Sequence, residues 1–66
     1  MTIHERILAE VARKPHLTEQ DLAYALFGQD GYQQRVNGDC RWLVSQGRLQ
    51  RNGVGGSSDP FTYTIP

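Results

Sequence analysis

The sequence predicts an α+β fold in which three helices are followed by a two-stranded β-hairpin. Apolar residues recur at helical spacing in three segments of residues 1–46, the spacing changes to strict alternation after Gly47, and a glycine-rich stretch separates two alternating segments. A chain of 66 residues is long enough for one small domain, so we expect a single domain over residues 1–66. Nearly every apolar side chain is then needed for the core.

The first helix is predicted to begin at Thr2, because Glu5 follows at the spacing of a capping box. Pro15 disfavours helical backbone before it, so the helix should end by residue 13 or 14. One apolar stripe runs along it, formed by Ile3, Ile7, Leu8 and Val11.

The second helix is predicted to begin after Thr18, with Asp21 at its third position, and to end at Gly28. Its buried face should consist of Leu22, Ala23, Leu26 and Phe27. The segment GQDGYQQ, which follows, is a turn-rich connector to the third helix.

The third helix is predicted from about Tyr32 to Gln46. One arc of it is apolar and should be buried: Tyr32, Val36, Cys40, Leu43 and Val44. The opposite arc holds Gln34, Gly38, Arg41 and Ser45, with Arg35 and Trp42 on its border. Gly38 weakens a helix, and VNGD is an alternative turn in which Asp39 caps a shorter helix. We favour the continuous helix, because the apolar pattern runs through the glycine.

A hairpin is predicted from the change of period after Gly47. Leu49 and Arg51 alternate with Arg48 and Gln50, and the C-terminal segment FTYTI alternates in the same way. An isolated hairpin is only marginally stable, so the face formed by Phe61, Tyr63 and Ile65 should pack on the helices. The connecting NGVGGSSDP is rich in glycine, and we expect its tip to be mobile.

Composition excludes several classes of protein. A single cysteine excludes a disulfide framework and a cysteine metal cluster within one chain, and Cys40 should be a small buried hydrophobe. The N-terminus is amphipathic and no long apolar run exists, so we expect a soluble cytoplasmic protein without membrane contact. His4 and His16 lack companions at ligand spacing and no nucleophile lies beside a base, so we expect no cofactor, no metal and no enzymatic activity.

The formal net charge is zero, which argues against strong non-specific binding to nucleic acid. The distribution is uneven, however. Residues 1–30 hold three basic and five acidic side chains, whereas residues 31–66 hold four basic and two acidic ones. All four basic residues of the second half are arginines, which suit bidentate contacts with phosphate or guanine.

Two segments resemble a known family. LTEQDLAYALFG followed by RVNGDCRWLVSQGRLQR resembles the helix-turn-helix core of winged-helix DNA-binding domains, and RNGVGGSSDPFTYTI resembles the wing with its return strand. The resemblance covers nearly the whole chain. Two departures stand out: the connector from Gly28 to Tyr32 is longer than the tightest helix-turn-helix turn, and KPHL leaves little room for the usual first strand. The sheet is therefore expected to be two-stranded.

The resemblance implies that the third helix enters the DNA major groove while the wing follows the phosphate backbone or the minor groove. The implied DNA-binding residues are Gln34, Arg35, Gly38, Arg41 and Ser45 on the third helix, and Arg51, Gly53 and Gly55 in the wing. Their chemistry fits this role, because glutamine pairs with adenine, arginine pairs with guanine or phosphate, and glycine allows close approach of the backbone. The expected function is a small bacterial or phage transcriptional regulator that binds double-stranded DNA.

Other readings remain open. The arginines are also compatible with an ordinary solvated face. A winged-helix module that binds a protein partner is a second candidate, since the segment between Asn52 and Pro60 has no lysine or arginine. A DNA-targeting domain of a longer enzyme is a third, although Met1 and the end at Pro66 favour a complete small protein. No long additional helix is left for a dimer interface, so a monomer or a weak homodimer is expected.

Overall fold

The computed structural model describes residues 1–28 and 32–66 and has the predicted α+β composition. Its elements are α1 (Ile3–Arg13), β1 (Leu17–Thr18), α2 (Glu19–Phe27), α3 (Gln33–Ser45), β2 (Gln50–Asn52) and β3 (Thr62–Thr64). The predicted connector between the second and third helices falls partly outside the described residues.

Both predicted helix starts are capping boxes. The Thr2 hydroxyl accepts the Glu5 amide hydrogen at 3.1 Å, and the Glu5 carboxylate accepts from the Thr2 amide at 2.9 Å. Thr18 and Asp21 make the same reciprocal pair at the start of α2, with both distances 3.1 Å. Each box satisfies two backbone donors that the first turn would otherwise leave free.

The third helix is continuous, as the apolar pattern predicts. It runs through Gly38, and a Cβ added there would have no heavy atom of the described residues within 4 Å apart from its chain neighbours and the backbone of the helix itself. The alternative turn at VNGD is therefore wrong. Continuity gives α3 13 residues, a length of about 20 Å at about 1.5 Å per residue.

The three helices and the sheet enclose one hydrophobic core. Tyr63 is its largest fully buried side chain and comes from the central strand of the sheet. The other buried residues are Ile7, Val11, Leu17, Leu22, Ala23, Leu26, Val36, Cys40, Leu43 and Leu49.

The sheet has three antiparallel strands in the order β1-β3-β2, so the expectation of two strands is wrong. Leu17 pairs with Tyr63 on one side, and Arg51 pairs with Tyr63 on the other. KPHL suffices because His16 adopts a left-handed conformation, φ 68°, and its amide donates to the Tyr63 carbonyl at 2.9 Å. The resulting arrangement is compatible with a winged helix.

Two residues predicted to be buried are exposed. Tyr32 precedes the first turn of α3, is 41% exposed and stacks on Phe27 with ring centroids 4.5 Å apart. Ile65 is 44% exposed, because β3 ends at Thr64 and the alternation of the strand does not continue to it. Period-based reasoning fails at both positions because each lies just outside its element.

Candidate nucleic-acid interface

The outer face of α3 carries all five of the predicted helix positions, and all are exposed: Gln34, Arg35, Gly38, Arg41 and Ser45. They lie on one side of the helix because it is continuous. The Ser45 hydroxyl donates to the Trp42 carbonyl at 2.6 Å, so its hydrogen is used within the helix. Gly38 leaves a gap between the longer side chains.

The two arginines of this face differ in their surroundings. The Nε of Arg35 lies 4.0 Å from Oδ2 of Asp39, and its guanidinium carbon is 5.9 Å from the centre of the Phe27 ring. Within the described part of the chain, Arg41 makes neither an ion pair nor a side-chain hydrogen bond. Arg41 is therefore the least restrained cation of the outer face.

One border of the face is tied to α1. The Nε2 of His4 lies 3.2 Å from Oδ1 of Asp39, and the imidazole stacks on the Trp42 indole with centroids 4.6 Å apart and planes 12° from parallel. Trp42 nevertheless remains 47% exposed. No local spacing predicts this contact, since His4 and Asp39 are 35 positions apart.

Arg51, a predicted wing contact, points into the fold. Its Nε and Nη2 donate to the Tyr63 hydroxyl at 3.2 and 3.0 Å, and its guanidinium carbon lies 4.4 Å from the centre of the Phe61 ring. Its side chain is 22% exposed. The alternation of Arg51 with Arg48 and Gln50 was the available signal, because it puts Arg51 on the same face as buried Leu49.

The Glu19 carboxylate contacts side chains from three other elements of the fold. Its Oε2 accepts from the Tyr63 hydroxyl at 2.7 Å and from Nδ2 of Asn37 at 2.6 Å, and lies 3.9 Å from Nη2 of Arg51. The network of Glu19, Asn37, Arg51 and Tyr63, called here the polar network, connects α2, α3, β2 and β3. It fixes the start of α3 relative to the hairpin.

Burial controls the acidity of two groups beside this network. Burial raises the pKa of the Tyr63 hydroxyl, and the hydrogen bond to Glu19 raises it further. Burial, together with the Glu19 carboxylate, raises the pKa of the Cys40 thiol to about 12. Cys40 is therefore a protonated core residue at neutral pH, because only the thiolate is a nucleophile or a good metal ligand.

Hydrogen bonds join the two sides of the hairpin loop, residues 53–60, to each other. Gly56 and Asp59 form an isolated bridge, and the amides of Val54 and Gly55 donate to the side chain and carbonyl of Asp59 at 3.3 and 3.0 Å. The amide of Gly55, a predicted DNA-binding residue, is thus used within the loop. Mobility of the tip stays a prediction.

Glycine is required at both predicted wing positions. Gly53 and Gly55 have φ of 95° and 86°, a backbone conformation that residues other than glycine rarely adopt. An added Cβ at Gly53 would lie 2.9 Å from the Pro60 carbonyl oxygen, and one at Gly55 would lie 2.5 Å from Cε2 of Phe61. These two glycines therefore shape the loop by letting it pass close to the returning chain.

A polar groove lies between the start of α3 and the hairpin loop. It consists of two depressions of about 500 and 290 Å³, and Glu19 and Gln33 line both. Gln34 and Asn37 complete the first depression. The second is lined also by Thr18, Gln20, Gly55, Ser57, Pro60 and Phe61. The start of α3 and the hairpin loop thus border the same groove. The sequence analysis did not predict the groove and did not include Gln33 among the candidate residues.

Within residues 1–28 and 32–66, no three His, Cys, Asp or Glu side chains are grouped so that they could hold a metal ion. The helices found there are all too short, or too polar, to cross a membrane. Comparisons with protein-family models, with curated proteins and with solved structures find no significant match to this chain.

Proposed function

We propose that this chain is a small sequence-specific DNA-binding protein of winged-helix type, a transcriptional regulator of bacterial or phage kind. In this proposal α3 enters the major groove and the hairpin loop follows the sugar-phosphate backbone. The observation that carries it is the continuous outer face of α3, about 20 Å long, whose first turn borders the same groove as the hairpin loop. The major groove of B-DNA, about 12 Å wide, accepts a helix.

The chemistry of the outer face supports this role. Gln34 and Arg41 are exposed, and each matches the major-groove edge of one base, adenine for glutamine and guanine for arginine. Gly38 lies between them and allows the helix backbone to approach the bases. A protein of this kind works in the cytoplasm, the location that the sequence predicts.

Electrostatics limits the strength of binding in this proposal. Arg51 is held beside Glu19, and the hairpin loop from Gly53 to Pro60 has Asp59 as its one charged residue. Backbone amides and the hydroxyls of Ser57 and Ser58 are then the groups left for phosphate contact in the wing. We therefore expect few phosphate contacts and correspondingly modest affinity for random DNA.

The test replaces Arg41 by alanine and follows binding of a labelled duplex by fluorescence anisotropy. If Arg41 reads a base, we expect Arg41→Ala to weaken discrimination between bases at one position by about 1–3 kcal/mol. If Arg41 contacts phosphate instead, the substitution should weaken affinity for all duplexes alike. Arg6→Ala is the matched control, since Arg6 is an exposed arginine of α1 and not part of the outer face of α3. Equal binding by Arg41→Ala and the unaltered protein would show that the reading face is assigned incorrectly.

Exposed aromatic side chains favour a second candidate function, a protein-binding module. Trp42 is 47% exposed, Tyr24 52% and Tyr32 41%, and such residues are enriched where proteins bind one another. The zero net charge also suits a protein partner. Trp42→Ala would weaken capture of such a partner strongly, whereas in the DNA-binding proposal it changes duplex affinity less than Arg41→Ala does.

A further inference from the structure

Several amide side chains line the polar groove between α3 and the hairpin loop. Its titratable or amide side chains are Glu19, Gln20, Gln33, Gln34 and Asn37, and neither lysine nor arginine lines either depression. The side chains of Gln33 and Gln34 are exposed, and within residues 1–28 and 32–66 neither side-chain amide makes a hydrogen bond.

Glu19 is held in a fixed position on the floor of the groove. Its carboxylate accepts from Tyr63 and Asn37, and its side chain is 13% exposed. Nη2 of Arg51 lies 3.9 Å from the same carboxylate, so the charge of Glu19 is paired, and none of the residues that line the two depressions is a lysine or an arginine that would attract phosphate. The groove therefore offers hydrogen-bonding amides and no free cation, which suits the uncharged edges of bases better than phosphate.

Amide side chains distinguish the two purines in the major groove. Adenine presents an acceptor, N7, next to a donor, the N6 amino group, and one glutamine amide satisfies both. Guanine presents two acceptors, N7 and O6, which call for the paired donors of arginine or lysine. Neither arginine nor lysine is among the residues that line this groove.

We propose that Gln33 and Gln34, at the first turn of α3, form an adenine-reading subsite in a groove that offers no free cation to phosphate or guanine. The proposal rests on the DNA-binding function proposed above. It assigns a specificity role to Gln33, which borders both depressions. The first residues of a recognition helix are also the ones closest to base edges in helix-turn-helix complexes generally.

The test selects duplexes from a randomised DNA pool at about 50 mM salt and then measures anisotropy with single-base-pair variants of the enriched duplex. We expect an adenine at one or two adjacent positions of the enriched site. Replacing that A·T pair by G·C should reduce affinity about 5- to 150-fold, and in Gln33→Ala or Gln34→Ala this penalty should disappear at one of the two positions. Gln46→Ala is the matched control, because Gln46 is exposed at the other end of α3.

The outcomes separate the two proposals. Enrichment of a site whose base preferences survive both glutamine substitutions, or a preference for guanine at the positions that they alter, overturns the adenine-reading subsite and leaves DNA binding in place. Failure to enrich or bind any duplex overturns DNA binding and the subsite together. Loss of the adenine preference in a glutamine variant, with Gln46→Ala unchanged, supports the subsite.

Discussion

Tyr63 donates its hydroxyl hydrogen to Glu19 and accepts two hydrogen bonds from Arg51, with Asn37 completing the polar network. The charged side chains of Glu19 and Arg51 are mostly buried, with exposed fractions of 13% and 22% respectively. Removing a partner from a buried charged group costs more than the hydrogen bond itself contributes, because that group loses its solvation without compensation. The polar network therefore stabilises the fold. It also holds Glu19 and Asn37, two residues that line the groove, in place.

Tyr63→Phe tests the network at the scale of single atoms. The substitution keeps the ring in the core and removes the hydroxyl, and we expect the free energy of unfolding to fall by about 1–3 kcal/mol in urea denaturation. Tyr24→Phe is the matched control, since Tyr24 is 52% exposed and should change stability by less than about 0.5 kcal/mol. Equal stabilities for Tyr63→Phe and Tyr24→Phe would contradict the importance of the network.

The sequence predicted part of this residue-level structure. The outer positions of α3 follow from helical periodicity, and all of them are exposed as expected. The contact of Tyr63 with Glu19 spans 44 positions, so no local spacing reveals it. The alternation of Arg51 with Gln50 already placed Arg51 on the buried face of its strand. An arginine is expected on a buried face, however, only when a carboxylate such as Glu19 is known to lie opposite.

The helices begin where local hydrogen bonds require them to. Thr2 and Thr18 supply capping boxes, so their helix starts were predictable from the sequence within one residue. The strand β1 was not predictable from KPHL, because a two-residue strand has no period. It exists through its pairing with β3 and the unusual backbone of His16.

The capping box of α1 makes stability depend on pH. Hydrogen bonds from Thr2, chiefly from its backbone amide, lower the pKa of the Glu5 carboxyl below its usual 4.5. Since the folded-state pKa is below the unfolded value, the ionised carboxylate stabilises the fold above about pH 4.5, and this contribution is lost as the pH falls through the lowered pKa.

We therefore expect Glu5→Ala to reduce the free energy of unfolding at neutral pH, and the difference from the unaltered protein to shrink in strong acid. Urea denaturation at several pH values measures it. The acid series serves as the internal control, because Glu5 is then protonated in both states of the unaltered protein. A difference that stays constant across the series would contradict the assigned role of the carboxylate.

The whole molecule has a formal net charge of zero, with seven basic and seven acidic side chains. Arg35 lies near Asp39 and Arg51 near Glu19, whereas Arg41 has no ion pair within residues 1–28 and 32–66. Such a surface suits recognition of base edges better than strong attraction to the backbone. A monomer, or a weak homodimer formed on DNA, stays the predicted state of the protein.

The most direct measurement is an amide chemical-shift titration of the labelled protein with a DNA duplex at about 50 and about 200 mM salt. Our account predicts shifts in residues 33–45 and 51–58, including the Trp42 side chain at the border of the face, and their weakening at the higher salt concentration. An absence of shifts at the lower salt, or shifts confined to α1, would contradict DNA binding through α3 and the hairpin loop.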